Sequence, residues 1–217
     1  PRLKEGELDG IFFAAFVGQG ERSEKGNEMA RDEARMICDS IHAIIQRYPT
    51  SIELATQASD LQRISRKGMH VIYIGIENAY PIGNDLTLID TFYNLGVRYI
   101  TLCHTKNNDI CDSSTDHPEH GGLSGLGEDV VRRMNKKGVM VDLSHASDST
   151  FYDVIRMSEV PVIASHSGAR ALCDHPRNLS DDMLMALKDN GGVVQVCLVT
   201  EYVKTPLPYP ERDSAIN

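Results

Sequence analysis

One pattern recurs along the 217 residues of this chain: a short apolar run, a polar turn, and a stretch with apolar residues at helical spacing. Short runs rich in β-branched residues predict buried strands, and the stretches between them predict helices. The predicted strands are residues 10–17, 70–77, 98–103, 139–143, 160–164 and 192–198. Because right-handed crossovers join such strands, the sequence predicts a parallel sheet covered by helices on both faces.

Two α/β architectures have this pattern, an open doubly wound sheet and a (β/α)8 barrel of the TIM type. Six predicted strands are too few to close an eight-stranded barrel, so the pattern alone leaves both open. The composition, 41% hydrophobic and 24% charged, is that of a globular protein with a sizeable core. We expect a single domain over residues 1–217.

The net charge of the chain limits the kinds of molecule that we expect it to bind. Lys and Arg number 22 against 31 Asp and Glu, which gives a net charge of −9. A nucleic acid or an anionic membrane is therefore a poor partner, and a small neutral or zwitterionic molecule fits better. No apolar run is long enough for a transmembrane segment, and residues 1–8 lack the pattern of a signal peptide. We expect a soluble chain, and since it starts on Pro1 its compartment stays open.

Four ionisable residues fall at the carboxyl ends of predicted strands. Glu77 ends one strand, and His104, His145 and His166 follow three others. In parallel α/β folds these ends converge on one edge, where active sites lie. Imidazole and carboxylate suit Zn²⁺, whereas Ca²⁺ requires oxygen ligands throughout. We expect a zinc site in which the ligand atoms of Glu77, His145 and His166 lie within about 5 Å of one another, as bonds of about 2.0–2.2 Å require.

Several motifs strengthen this interpretation. They are HTKNN at residues 104–108, HGGLSGLG at 120–127, VDLSH at 141–145, VIASHS at 162–167 and CDHPRN at 173–178. Together, in this order and spacing, the motifs resemble those of the membrane (renal-type) dipeptidases, a branch of the metal-dependent amidohydrolase barrels. The resemblance covers about residues 3–199. It implies a (β/α)8 barrel that hydrolyses dipeptides at a binuclear zinc centre, with a D-residue accepted on the carboxyl side by many members.

The resemblance also implies a role for each matching residue. Glu77 resembles the carboxylate that bridges the two zinc ions, and His145 and His166 resemble the remaining protein ligands of one of them. His104 resembles a catalytic, substrate-contacting histidine that stabilises the oxyanion. Arg177 resembles the arginine that binds the free carboxylate of the substrate. Asn178 belongs to the same loop, either as a substrate-binding residue or as a turn residue.

Two features of the family pattern have no match in this sequence. A His-x-Asp pair, which holds the other zinc from the first strand, would precede Gly10, and an aspartate that shuttles protons would lie near the last strand. The chain is therefore expected to be an incomplete barrel without the first strand and the last one or two units. An incomplete barrel exposes sheet edges, which favour pairing, so a homodimer is a possible assembly.

Three functions follow from these expectations. The first is a zinc-dependent dipeptidase that uses metal-activated hydroxide. The second is a catalytically silent fragment or binding module that retains the dipeptide groove. The third is another amidohydrolase activity on the same barrel, such as deacetylation or lactone hydrolysis. The motif around Arg177 favours a substrate with a free carboxylate and therefore the first.

Overall fold

The structure is a computed structural model that describes residues 2–204. Its strands form one sheet. The strands are β1 (Gly10–Phe16), β2 (Ile52–Leu54), β3 (His70–Glu77), β4 (Val97–Thr101), β5 (Met140–Asp142), β6 (Ile163–Ser167) and β7 (Val193–Val196). The helices are α1 (Arg2–Glu5), α2 (Glu24–Arg47), α3 (Ala58–Ser65), α4 (Thr87–Asn94), α5 (Gly125–Lys137), α6 (Asp148–Met157), α7 (Asp181–Asp189) and α8 (Thr200–Val203). No helix among these residues is both long and apolar enough to span a membrane.

The order of the strands distinguishes between the two expected architectures. All pairs are parallel, and the sheet runs β1-β3-β4-β5-β6-β7, with the short β2 beside the start of β3. A doubly wound sheet reverses its strand order at a switch point, whereas a barrel adds each strand beside the previous one. The structure has the second order and leaves the sheet open between β1 and β7. The predicted α/β fold, an incomplete TIM-type barrel, is confirmed.

The predicted strand boundaries agree best with the structure where the apolar alternation along the strand is strong. Strand β3 has the predicted bounds of residues 70–77. By contrast, β6 was predicted at residues 160–164 and lies at Ile163–Ser167. Pro161 has no N–H to donate, and the N–H of Val162 donates to the side chain of Asn190 at 2.9 Å, so the ladder starts later. His166 therefore lies within the strand rather than after it. The short β2 was not predicted.

The alternation in β3 separates the helix-covered face from the barrel interior. Ile72, Ile74 and Ile76 are buried against the helices. Tyr73 and Glu77 face the other way and line an open cavity of about 740 Å³ inside the curved sheet. Because side chains alternate along a strand, the polar end of β3 reaches the interior while its apolar residues form the core.

Helix α5 shows how local sequence fixes an element beside this core. The Ser124 hydroxyl caps its first turn by accepting from the N–H of Gly127, and Gly138 ends it in the left-handed conformation at φ 82°. Val130, Val131 and Met134 form its buried face. The motif at residues 120–127 therefore supplies a helix start as well as the loop before it.

Gly75 permits the close contact between β3 and β4 inside the barrel. A Cβ atom at this position would lie 2.2 Å from Cζ of Tyr99, whose ring packs 5.0 Å from that of Phe12. We expect Gly75→Ala to lower the free energy of unfolding by about 1–3 kcal/mol, because the buried Tyr99 ring must move. Urea denaturation measures this. The control is Gly125→Ala, where no atom lies within 4 Å, and equal effects of the two substitutions would contradict the packing argument.

Candidate metal centre

Four strands bring the four predicted side chains to one edge of the sheet. Glu77 is the last residue of β3, His104 follows β4, His145 follows β5, and His166 lies in β6. The ligand atoms of Glu77, His145 and His166 all lie within 4.8 Å of one another, so the predicted convergence is confirmed. Within residues 2–204 no other group of three or more His, Cys, Asp or Glu residues converges in this way.

The distances in this cluster suit a tetrahedral metal ion. In a zinc site with bonds of about 2.0–2.1 Å, neighbouring ligand atoms lie about 3.4 Å apart. Oε1 of Glu77 lies 3.2 Å from Nε2 of His145 and 3.4 Å from Nε2 of His166. The two Nε2 atoms are 2.8 Å apart and would separate by about 0.5 Å around a zinc ion. Three protein ligands leave one tetrahedral position open, as in catalytic zinc sites.

The turn after β5 places the imidazole of His145. His145 adopts the left-handed conformation at φ 73°, which histidine enters more readily than most residues. Its carbonyl oxygen accepts from the N–H of Ser114 at 2.8 Å, so the loop after β4 supports the turn. The side chain is only 6% exposed, which places the ring beneath the surface of the cavity.

Burial and charge favour the protonation states that bind a metal. Burial lowers the pKa of His145 to about 3, and the nearby charge of Arg177 acts in the same direction, against the hydrogen bond with Glu77. Burial raises the pKa of Glu77, but the hydrogen bond with His145 and the neighbouring ring of His166 outweigh it and hold that pKa well below its usual range. Neutral imidazole and ionised carboxylate are the ligand forms.

His104 lies beside the cluster, close to the carboxylate. Its Nε2 is 3.7 Å from Oε1 of Glu77, and its ring lies between those of His145, at 4.2 Å, and Phe16, at 4.8 Å. Burial lowers the pKa of His104, which favours the neutral ring. The carbonyl oxygen of His104 accepts from Oγ of Ser113 at 2.6 Å. A neutral imidazole at this position can present an N–H to a substrate in the cavity.

The segment after β4 is fixed by Asp112, a residue that the sequence interpretation missed. Its carboxylate, 2% exposed, accepts from four consecutive backbone N–H groups at 2.8–3.2 Å. These donors belong to Glu119, His120, Gly121 and Gly122. The diglycine was a usable signal, because both glycines have positive φ and mark a tight turn around an acceptor.

Arg177 lies under the cluster with part of its guanidinium unpaired. The residue is 3% exposed, and its Nη2 donates to the carbonyl oxygen of His166 at 3.1 Å. Its Nε has no hydrogen-bond partner among the described residues, and its Cζ lies 5.6 Å from the centre of the Tyr202 ring. Burial lowers the pKa of Arg177. A buried guanidinium with donors to spare is suited to a carboxylate ligand.

Asn178 holds the same loop in place. Its Nδ2 donates to the carbonyl oxygens of Cys173 and Tyr202, both at 2.8 Å, and its Oδ1 accepts from the N–H of Gly168 at 3.0 Å. These contacts favour the alternative of a loop residue. Direct contact between Asn178 and a substrate stays a prediction.

The parallel barrel-type sheet and the Glu-His-His cluster at its carboxyl edge define an α/β protein with a candidate metal centre of the hydrolase type. The chain belongs to the membrane dipeptidase family, peptidase family M19, whose sequence profile matches residues 1–216.

Relatives of known name agree with this assignment. The chain is 38% identical to Dipeptidase verJ of Clonostachys rogersoniana, over 97% of this chain and 56% of the relative. It is 37% identical to Dipeptidase 3 of Homo sapiens, over 91% of this chain and 40% of the relative. The structure of the probable dipeptidase PvdM from Pseudomonas aeruginosa matches with a TM-score of 0.90 and 33% identity, over 98% of this chain and 56% of that one. The chain thus spans about half the length of these relatives.

Proposed function

We propose that the protein is a zinc-dependent dipeptidase. The observation that carries the proposal is the convergence of Glu77, His145 and His166 at distances close to the edges of a zinc tetrahedron. The names of the relatives support peptide hydrolysis, and the ligand set supports zinc. The resemblance to the family implies two zinc ions in the complete site, and Glu77 is the described residue that would contribute to holding both.

Bound zinc would supply Lewis-acid polarisation of the scissile carbonyl and a lowered pKa for the attacking water. The side chains around it have separate tasks. Glu77, His145 and His166 would hold the metal beside the cavity. His104 would donate an N–H toward the substrate oxygen that becomes negative, and such a donor is most effective in a site that excludes water.

Substrate binding is assigned to Arg177. A dipeptide ends in a carboxylate, and the buried guanidinium has donors that the described residues leave unpaired. Its bond to the carbonyl of His166 fixes the distance between the carboxylate-binding group and the metal ligands. A substrate bound at both places has its carboxylate close to the scissile carbonyl, which favours dipeptides over longer peptides. Acceptance of a D-residue on the carboxyl side is part of the proposal.

The test is hydrolysis of L,L- and L,D-dipeptides by the zinc-supplemented chain, compared with the matching dipeptide amides. Replacement of Arg177 by Met should lower kcat/KM for the free dipeptide about 10- to 100-fold, the effect of one or two charged hydrogen bonds. The rate with the amide should change little, because the amide has no carboxylate to lose. Amino acid release is measured directly.

Two results would favour the other functions. Zinc binding without turnover of any dipeptide would indicate the silent binding module. Turnover of N-acetyl amino acids or lactones in preference to dipeptides would indicate another amidohydrolase activity. Equal losses for dipeptide and amide in the Arg177→Met variant would remove the carboxylate assignment.

Pairing with a second copy also stays a proposal. Strands β1 and β7 are the edges of the described sheet, and Val193 and Val196 on β7 are 56% and 68% exposed. Exposed apolar edge strands favour association through their free backbone groups. Sedimentation analysis measures the mass in solution, and a monomer at all concentrations would contradict the dimer.

A further inference from the structure

The hydroxyl of Ser165 lies between a buried carboxylate and a metal-ligand candidate. Its Oγ is 2.6 Å from Oδ2 of Asp142 and 2.8 Å from Nδ1 of His166. The Nε2 atom of the same His166 ring faces Glu77 and His145. A continuous chain of contacts therefore runs from Asp142 through one hydroxyl to the imidazole and on to the candidate metal position.

Asp142 has four donors around it. The N–H groups of Ser144 and Ser165 donate to Oδ1 at 3.1 and 2.8 Å. The hydroxyls of Thr101 and Ser165 lie 2.6 Å from Oδ2. A carboxylate has about four lone-pair sites, so Asp142 can accept from all four donors. Asp142 is fully buried at the end of β5, which places the arrangement inside the sheet rather than in solvent.

The single hydroxyl proton decides the direction of these hydrogen bonds. Since Asp142 accepts, Ser165 must donate its only proton to Oδ2. With that proton given to Oδ2, Ser165 Oγ can only accept in its other two contacts, at 2.8 Å with Nδ1 of His166 and at 3.4 Å with Oγ of Ser144, so the ring must donate. A neutral imidazole carries one N–H, so a proton on Nδ1 leaves the lone pair on Nε2. That lone pair points into the cluster where a metal would bind.

We propose that Ser165, held by Asp142, is a positioning residue that fixes His166 in the Nδ1–H tautomer and so prepares Nε2 as a metal ligand. The proposal rests on the proposed metal centre. It assigns Ser165 and Asp142 a task beyond packing, since partners of this kind orient ligand rings and tune their affinity for a metal. The hydroxyl of Ser144 adds to the positioning by accepting from the backbone N–H of His166 at 2.9 Å.

The two histidines of the cluster, His145 and His166, differ in whether a neighbouring side chain fixes their tautomer. Nδ1 of His145 is buried and has no hydrogen-bond partner among the described residues. No side chain therefore fixes the tautomer of His145. In the metal-free chain its Nε2 can carry the proton and donate to Glu77, 3.2 Å away, or to Nε2 of His166, 2.8 Å away. His166 is thus the prepared ligand of the two, whereas His145 would need an unprotonated Nε2 to serve as a ligand.

Four variants separate positioning from packing. Asp142→Asn keeps an oxygen for the two backbone donors and turns its NH₂ toward Ser165. The Ser165 hydroxyl then accepts from Asn and donates to Nδ1 of His166, so both of its hydrogen bonds reverse direction. Ser165→Ala removes the hydroxyl, and Ser165→Thr restores it. Thr101→Val is the matched control, because it removes an equally short bond to the same oxygen of Asp142 without touching His166.

Two measurements are made on the whole chain at one pH. The first is the tautomer of His166 without metal, read from long-range ¹H–¹⁵N correlations and assigned with His166→Gln. The second is zinc affinity by competition with a chelating dye. We expect the Nδ1–H form in the parent, Thr101→Val and Ser165→Thr, and the Nε2–H form to appear in Asp142→Asn and Ser165→Ala. The dissociation constant for zinc should rise about 10- to 100-fold in those last two variants.

The outcomes are distinct. An Nε2–H tautomer in the parent would overturn the proposal, as would unchanged zinc affinity in both Asp142→Asn and Ser165→Ala. An equal loss of affinity in Thr101→Val would also overturn it, by indicating a packing effect. Failure of the parent to bind zinc would refute the proposed function, while the tautomer in the metal-free chain would still decide the role of Ser165.

Discussion

Replacement of His145 by Asn is expected to raise the dissociation constant for zinc more than about 100-fold. Residues that only orient a ligand change metal affinity about 10- to 100-fold, and His145 is assigned as a ligand itself. Its Nε2 lies 3.2 Å from Glu77 and 2.8 Å from His166, so its loss leaves two of the three described ligands. Dipeptide hydrolysis should be lost with the metal.

Asn is chosen because His145 has a positive φ of 73°. Asn tolerates the left-handed region, whereas Ala would add backbone strain to the loss of a ligand. The control is His42→Gln, which changes a half-buried histidine that contacts the carbonyl of Leu95 at 2.8 Å on the helical side of the sheet. Zinc content and chelator competition are measured on both variants. Unchanged zinc binding in His145→Asn would show that the metal assignment is wrong.

The sequence predicted most of the fold because strand and helix patterns are local. The alternation in β3 set its bounds at residues 70–77. The site could be predicted as well, since parallel strands bring their carboxyl ends together. Glu77 and His145 are 68 positions apart in the chain, yet strand order alone placed them on one edge.

Other features depend on contacts that have no local signal. Ser165 follows the strand predicted at residues 160–164, and nothing in the sequence indicated that its hydroxyl lies between Asp142 and His166. The link to Asp142 required the register of β5 against β6, which side-chain alternation within one strand does not give. Asp112 had only a partial signal, because the diglycine at Gly121 and Gly122 indicates a tight turn but not the side chain that the turn surrounds. Its four partners lie in an aperiodic loop, where neither helical nor strand spacing indicates which side chain the backbone surrounds.

The second large effect is expected from substitution of Asp112, which should lower the stability of the folded chain. Asp112→Asn should lower the free energy of unfolding by about 3 kcal/mol, because an NH₂ group would replace a buried acceptor that faces four backbone donors. The matched control is Asp116→Asn in the same loop. Asp116 also accepts from backbone N–H groups, those of Asn107 and His117, but it is exposed to water that can replace the lost acceptor. Its substitution should cost less than about 1 kcal/mol.

The effect of Asp112→Asn should depend on pH in a defined direction. Burial raises the pKa of Asp112, but the backbone hydrogen bonds from His120, Glu119, Gly122 and Gly121 outweigh it and hold that pKa below its ordinary value. A carboxyl group with a depressed pKa in the folded state stabilises the protein fully above the pKa of the unfolded chain, about 3.9. That contribution is lost as the pH falls through the folded-state pKa.

Urea denaturation of the parent and Asp112→Asn from pH 7 to pH 3 therefore tests the role of Asp112. The difference in unfolding free energy should be constant from pH 7 to about pH 5 and should shrink below about pH 4. Because the backbone around this loop supports both His104 and His145 through Ser113 and Ser114, the variant should also bind zinc more weakly at pH 7. A stability difference that does not change with pH would mean that the charge of Asp112 is not what organises the loop.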